Sequence, residues 1–265
     1  MAGVPGKTGR VLYVKLEIDP ASCIHRFRKI YEALGIPPAH AQDIAIWNLR
    51  GHAEPLDRLV PRLVRMARDL RLDAIVLDPI YKVITGDENS ATDMAQFCNQ
   101  FDKICEELGC ATIYCHHHSK GTQGQKRAMD RASGSGVFAR DPDAQLDMIE
   151  LELDDQRREQ AREKDATAWR MESSLREFKN FEPVNFWFQY PLHHLDNEEL
   201  KTMPAQGSQE AGRMKSKFHK TTEQAEEAFR STFDRLNVDG KGVPVEKMAA
   251  ASRYIYLATA RLHPA

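Results

Sequence analysis

Two short apolar segments of this sequence are each followed by an acidic residue that could bind a metal ion. Residues 74–77 are wholly apolar and are closed by Asp78, which stands in an Asp-Pro pair. A run of this kind predicts a strand buried on both faces, and open α/β sheets place their chemistry at the carboxyl ends of such strands. Asp78 could hold Mg²⁺ there directly or through water, although a simple turn after the strand explains the same residues. Glu17 closes the earlier run 11–17 in the same way.

Three consecutive histidines stand at the exit of another apolar run. Residues 111–115 lead directly into His116, His117 and His118. Side chains alternate along a strand, so at most two of these histidines could share one metal ion, and zinc would need further ligands. The sequence therefore favours a polar strand end that senses a bound phosphate, because imidazole can donate to an anion or to a water beside it.

A glycine-rich start, residues 1–10, contains Gly6-Lys7-Thr8, which looks like the tail of a phosphate-binding loop. Such a loop wraps phosphate by running from a strand into the N-terminus of a helix. Here no strand precedes the glycines, and a predicted strand follows within three residues. We therefore do not expect a working phosphate loop at this position.

Strand and helix patterns alternate around these candidate residues. The predicted strands are 11–17, 44–49, 74–78 and 111–115, and the predicted helices are 21–34, 54–70 and one that Gly109 ends. Helix 54–70 has one apolar stripe, formed by Leu56, Leu59, Leu63, Met66 and Leu70. Alternation of this kind predicts a parallel sheet covered by helices, with residues 145–153 as a last core strand.

Composition limits the class of protein. The 265 residues suggest one large domain or a domain with an appendage, and the hydrophobic content of 42% is enough for a substantial core. The net charge of −2 gives no sign of non-specific nucleic-acid binding. The five cysteines include no Cys-x-x-Cys pair, so reduced core thiols are expected. No membrane span or signal peptide is visible, which predicts a cytoplasmic protein.

The sequence changes character beyond residue 153. The dense charge run 154–165 predicts a solvated turn or hairpin tip, and residues 169–178 and 184–190 predict two strands that extend the sheet. The aromatic strand, with Arg170 and Arg176 nearby, could stack nucleic-acid bases, but the sequence favours core packing for these side chains. Residues 196–220 are interpreted as a linker. Residues 221–265 predict helices that could form an incomplete helix-turn-helix, although the last segment lacks the polar residues of a recognition helix.

Four motifs, taken in order, resemble the RepA-like branch of the RecA/DnaB superfamily of P-loop ATPases. These are ATPases of plasmids, phages and mobile elements related to hexameric replicative helicases. The similarity covers about residues 10–190 and implies a RecA-like α/β fold with ATP and Mg²⁺ as cofactors. The matching segments are residues 10–17 (RVLYVKLE), 77–79 with 86–89 (LDP, GDEN), 116–121 (HHHSKG) and 130–136 (DRASGSG).

The resemblance implies a role for each residue that matches a motif. Glu17 would polarise the attacking water, and Asp78 would be the acid that binds Mg²⁺ together with the nucleotide. His117, or its neighbour His116, would sense the γ-phosphate, and Ser119 would contact the nucleotide.

Basic residues of the same motifs would reach phosphate or DNA across a subunit interface. These are Lys120, Arg131 and Arg140, and either arginine could be an arginine finger. Neither arginine has an evident partner within the chain, whereas ring ATPases use such residues on a neighbour's nucleotide. The resemblance therefore predicts a homo-oligomeric ring that acts on DNA.

The sequence departs from the family ahead of residue 11. In the family a strand, the phosphate loop and a helix precede the strand that ends in Glu17, and that block is not recognisable here. We therefore expect an N-terminally truncated core with unpaired backbone and exposed apolar surface, inactive as this chain. Three hypotheses follow: an ATPase completed by a phosphate loop, a non-hydrolysing interaction module of the same fold, or a protein that binds DNA through its C-terminal helices.

Overall fold

The computed structural model describes residues 8–118, 123–126, 131 and 136–218, together with the single residues 230, 233, 234 and 237. The chain divides into two compact units, residues 1–211 and 212–265. Both sheets and the apolar core lie in the first unit. Within the described residues, no helix is long and apolar enough to cross a membrane.

The first sheet has four parallel strands in the order β2-β1-β3-β4. The strands are β1 (Val11–Lys15), β2 (Ile44–Asn48), β3 (Ala74–Asp78) and β4 (Ala111–Tyr114), and the helices that connect them are α1 (Pro20–Leu34), α2 (Leu56–Ala67) and α3 (Ala91–Leu108). The predicted α/β fold with a helix-covered parallel sheet is confirmed.

Helix boundaries follow local capping signals. Asp19 accepts a hydrogen bond from the Ser22 amide and begins α1, and Ser90 begins α3 in the same way. Gly35 and Gly109 end these helices with left-handed backbone, at φ of 62° and 61°, which costs glycine little because it has no Cβ.

The apolar core lies between one face of the sheet and the helices α2 and α3. It includes Leu12, Val14, Ile75 and Leu77 from the strands, Leu56, Leu59 and Leu63 from α2, and Met94, Phe97 and Ile104 from α3. The other face carries Tyr13, whose ring meets Phe27 of α1 edge-on at 5.9 Å. The predicted stripe on α2 was wrong for Met66 and Leu70, which are exposed. The helix ends at Ala67, and Val60 and Val64 complete the buried face instead.

The second sheet is antiparallel, in the order β5-β6-β7-β8. Its strands are β5 (Ala144–Glu150), β6 (Ala166–Leu175), β7 (Val184–Gln189) and β8 (Leu192–Leu195). Residues 145–153 were expected to form a last strand of the parallel core, and 169–178 and 184–190 to extend that sheet. Both expectations were wrong, because these segments form the separate antiparallel sheet. The short connections between β6, β7 and β8 reverse the chain, whereas parallel neighbours need a long crossover.

The charge run 154–165 is a helix rather than a turn. Helix α5 (Asp155–Glu163) begins at Asp154, whose carboxylate accepts a hydrogen bond from the Arg157 amide. Opposite charges three residues apart stabilise such a helix, and Arg158 pairs with Asp155 at 2.9 Å. Two further helices are α4 (Val137–Arg140) and α6 (Gln209–Phe218).

The interpreted linker, 196–220, contains ordered structure. Leu200 and Met203 are buried, and Leu151 forms an antiparallel bridge with Ala205. Helix α6 begins within the same segment. The predicted C-terminal helices fall almost entirely outside the described residues, and the division into domains stays a prediction.

Candidate active site at the carboxyl edge of the parallel sheet

The three candidate segments follow neighbouring strands of the first sheet. Lys15 at the end of β1 is opposite Asp78 at the end of β3, and Leu77 is opposite Tyr114 at the end of β4. Because the strands are parallel, Glu17, Asp78 and the histidines emerge at the same edge. The backbone joins these exits, since the Leu16 amide donates to the Asp78 carbonyl at 2.9 Å.

Glu17 lies in the turn that follows β1, and its side chain is exposed. The sequence predicted that the strand extends to Glu17, but β1 ends at Lys15. The turn is held by Lys15, whose Nζ donates to the Ile18 carbonyl at 2.9 Å. Immediately after the turn, the carboxylate of Asp19 caps α1, and this hydrogen bond lowers its pKa to about 2. The carboxylate of Glu17 is therefore presented on a short turn with defined ends.

Asp78 is half-buried and accepts hydrogen bonds from two neighbours. The Tyr13 hydroxyl donates to Oδ2 of Asp78 at 2.5 Å, and the Cys115 thiol also hydrogen-bonds this carboxylate. Burial and the charge of Asp78 raise the pKa of the Tyr13 hydroxyl. The same two causes, burial first, raise the pKa of the Cys115 thiol to about 11, although the residue as a whole is exposed. Both donors therefore stay protonated at neutral pH and orient the carboxylate.

Sequence reasoning missed Tyr13 and Cys115 as partners of Asp78. The register of the sheet brings Tyr13 near Asp78, because Tyr13 and Lys15 share one face of β1 and Lys15 is directly opposite Asp78. The sequence pattern of a single strand does not reveal strand order or register, so the sequence contained no signal for this contact.

The three histidines have different surroundings. His116 is half-buried, and His117 is exposed with its ring 5.5 Å from that of Tyr81. The Nζ of Lys82 lies 4.9 Å from the Tyr81 ring and adds a positive charge near this exit. His118 instead contacts Asp147 of β5, with 2.8 Å between Nε2 and Oδ1.

Arg131 is buried in a network of ionic contacts, contrary to the expectation that it has no partner within the chain. Its guanidinium contacts both Asp147 and Glu172, the latter at 2.8 Å, and its Nε donates to the Gln123 carbonyl at 3.1 Å. Asp147 and Glu172 are directly opposite each other on β5 and β6, so Arg131 separates two like charges. A guanidinium held in this way is not available to a neighbouring subunit in this arrangement.

Arg140 differs from Arg131 in exposure. It is the last residue of α4 and is exposed, and its guanidinium makes no hydrogen bond or ion pair with any residue that the structure describes. Its carbonyl accepts a hydrogen bond from Arg176 at 2.5 Å, which holds the end of the helix in place. Ser119 and Lys120 lie outside the described residues.

The donor set at this edge fits Mg²⁺ in part. Carboxylate oxygens such as those of Asp78 and Glu17 are ligands that Mg²⁺ accepts, often through water. Among residues 8–118, 123–126, 131 and 136–218, no group of three or more histidine, cysteine or acidic side chains is placed to hold a metal ion. A cation at Asp78 would therefore take its remaining ligands from water and from a nucleotide. Residues 8–10 run directly into β1, and Gly6-Lys7 lies outside the described residues.

Residues 1–123 match the family model of an AAA domain. The matched segment covers all four strands of the parallel sheet together with Glu17, Asp78 and the histidines, and it ends before the antiparallel sheet. The match supports a relationship to the P-loop ATPase superfamily and implies nucleotide binding in general.

Proposed function

We propose that this chain carries the catalytic acids of a RepA-like ATPase that acts as a DNA helicase in replication or in the maintenance of a mobile element. The observation that carries the proposal is the placement of Glu17, Asp78 and His117 after three adjacent parallel strands at one sheet edge. Phosphoryl transfer needs little covalent chemistry from the protein, so positioned acids and donors are the parts that matter most.

Each of the three side chains has a role that its surroundings support. The exposed carboxylate of Glu17 orients and polarises the attacking water. The carboxylate of Asp78, aligned by Tyr13 and Cys115, would hold Mg²⁺ directly or through water. His117, or His116 beside it, donates to the terminal phosphate. When bound, Mg-ATP would supply the phosphoryl group that is transferred and the negative charge to which the histidine donates.

The strand that leads into a phosphate loop would pair with the free edge of β4. Among the described residues β4 is an end strand, and its alternate amides, such as that of Cys115, donate to β3. The Thr112 amide therefore points away from β3, and Ile113 is 50% exposed. The end strand of the second sheet, β5, likewise exposes Leu146 and Met148. An added strand at β4 would bury this surface and bring a phosphate loop to the edge that carries Asp78.

Assembly into a ring would supply a further cation. The exposed Arg140 guanidinium suits an arginine finger better than Arg131, because Arg131 is committed to Asp147 and Glu172. The homo-oligomeric ring and the DNA substrate rest on the resemblance to RepA-like ATPases.

The proposal is tested with a form of the protein that includes a phosphate loop and hydrolyses ATP. Glu17→Gln should lower the hydrolysis rate by roughly 10²–10⁴-fold while nucleotide affinity stays within a few-fold, because only the water-orienting group is lost. Glu32→Gln is the matched control, since Glu32 is an exposed carboxylate on α1 that pairs with the likewise exposed Lys29. Hydrolysis by Glu17→Gln at the rate of the control would refute the assignment.

A further inference from the structure

Among the residues that the structure describes, Lys15 is the most buried charged side chain that the proposed mechanism leaves unused. It is 1% exposed, and lysine is almost never fully buried unless its charge is paired. Within the part of the chain that the structure describes, its Nζ has one hydrogen-bond acceptor, the Ile18 carbonyl at 2.9 Å. An ammonium group has three donors, so packing alone does not account for this residue.

We propose that Lys15 is a positioning residue that fixes the turn carrying Glu17. This inference rests on the proposed function, because it assigns Lys15 a role through the glutamate that orients water. Lys15 is the last residue of β1, and its side chain reaches forward over the turn to the carbonyl of Ile18. Glu17 therefore lies between the two residues that this hydrogen bond joins, Lys15 at the end of β1 and Ile18 in the turn.

The turn is anchored on both sides of Glu17. On one side the Leu16 amide donates to the Asp78 carbonyl at 2.9 Å, and on the other the Ile18 carbonyl accepts from Lys15. Lys15 itself is held within the sheet, since its carbonyl accepts from the Leu49 amide at 2.9 Å. The hydrogen bond from Leu16 to Asp78 fixes the backbone next to Glu17 against the backbone of Asp78, so the positions of the two acids are coupled.

The hydrogen bond from Lys15 to the Ile18 carbonyl explains why a charged group is buried at this position. A hydrogen bond from an ammonium group is roughly twice as strong as one between neutral groups. An apolar side chain would fill the same space without the cost of burying a charge, but it could not hold a carbonyl. Catalytic side chains must stay close to their productive geometry, and a displacement of about 1 Å can cost about 10²-fold in rate.

Hydrogen exchange on the 265-residue protein tests the anchor itself. Lys15→Met keeps the length of the side chain and removes the donor, whereas Lys29→Met removes an exposed lysine of α1 as a matched control. We expect faster exchange of the amides at Glu17, Ile18 and Asp19 in Lys15→Met, with the remaining strands unchanged. Exchange in this turn equal to that of the Lys29→Met control would overturn the proposal.

Steady-state kinetics of the ATP-hydrolysing form test the consequence. Lys15→Met should lower kcat by roughly 10- to 100-fold with KM unchanged, and it should add no further loss to Glu17→Gln. If Glu17→Gln has no effect, the proposed function fails. If Glu17→Gln abolishes hydrolysis while Lys15→Met leaves kcat intact, the positioning role fails and the proposed function stands.

A second variant covers the possibility that Lys15→Met does not fold. Lys15→Gln retains a neutral N–H donor, and we expect a smaller fall in kcat than for Lys15→Met. Loss of the whole fold in both variants, measured by circular dichroism, would also overturn the proposal. Lys15 would then stabilise the core rather than position Glu17.

Discussion

Removal of the Arg131 guanidinium should destabilise the protein, because it leaves the buried carboxylate of Asp147 beside the half-buried carboxylate of Glu172. In Arg131→Met, Asp147 and Glu172 would face each other across β5 and β6 without the cation between them. Breaking a buried ion pair by removing one partner costs about 3–5 kcal/mol, because the remaining charge is left uncompensated. The side chain of Asp147 is 3% exposed but that of Glu172 is 24% exposed, so water screens part of the repulsion. We therefore expect the lower end of the range, about 3 kcal/mol.

Urea denaturation measures this loss directly. With a denaturant slope of about 2 kcal/mol per molar urea, a loss of about 3 kcal/mol lowers the midpoint by about 1.5 M. Arg68→Met is the matched control, because Arg68 forms an exposed pair with Glu107 at 3.2 Å. Such surface pairs contribute about 0–1 kcal/mol, so the midpoint of the control should move by at most about 0.5 M.

Neutralising the carboxylates should recover most of the stability. The triple variant Arg131→Met with Asp147→Asn and Glu172→Gln contains no uncompensated charge at this position, so its midpoint should lie closer to that of the natural protein than to that of Arg131→Met. If Arg131→Met is no less stable than Arg68→Met, the ionic network does not contribute as the geometry indicates. An arginine finger at Arg131 would show the opposite pattern, with ATP hydrolysis lost and stability unchanged.

Three further predictions concern nucleotide, thiol chemistry and assembly. The 265-residue chain should bind Mg-ATP weakly or not at all by calorimetric titration, since Asp78 alone cannot replace a phosphate cradle; micromolar affinity would contradict this. The Cys115 thiol, with a pKa near 11, should be alkylated slowly at pH 8 because it is almost entirely protonated there. Asp78→Asn removes a charge that raises this pKa, so alkylation should become several-fold faster, and an unchanged rate would show that Asp78 does not act on the thiol. In the ATP-hydrolysing form, mixing Glu17→Gln with Arg140→Ala subunits should restore part of the activity, because some interfaces then pair an intact glutamate with an intact arginine. Removing an arginine finger costs ~10³–10⁵ in rate, so even partial recovery is measurable, and absence of complementation with activity independent of protein concentration would exclude the in-trans role.

The local sequence by itself determined the parallel sheet and the edge at which the acids emerge. Apolar runs bounded by caps and glycines predict β1 to β4 and their helices, because strand and helix periods depend on neighbouring residues. Once the strands alternate with helices, parallel pairing follows, and parallel strands bring Glu17 and Asp78 to one edge. These predictions needed no knowledge of contacts between distant residues.

Only the tertiary structure decided which polar groups meet. The pairing of Arg131 with Asp147 and Glu172, and of Tyr13 with Asp78, joins residues distant in sequence whose distances depend on strand order and register. The separate antiparallel sheet likewise depends on which edges pair, and hydrophobic pattern alone does not specify that choice. The burial of Lys15 is a further example, because a lysine within a strand pattern is usually exposed to solvent, whereas here the side chain is 1% exposed and its Nζ donates to the Ile18 carbonyl.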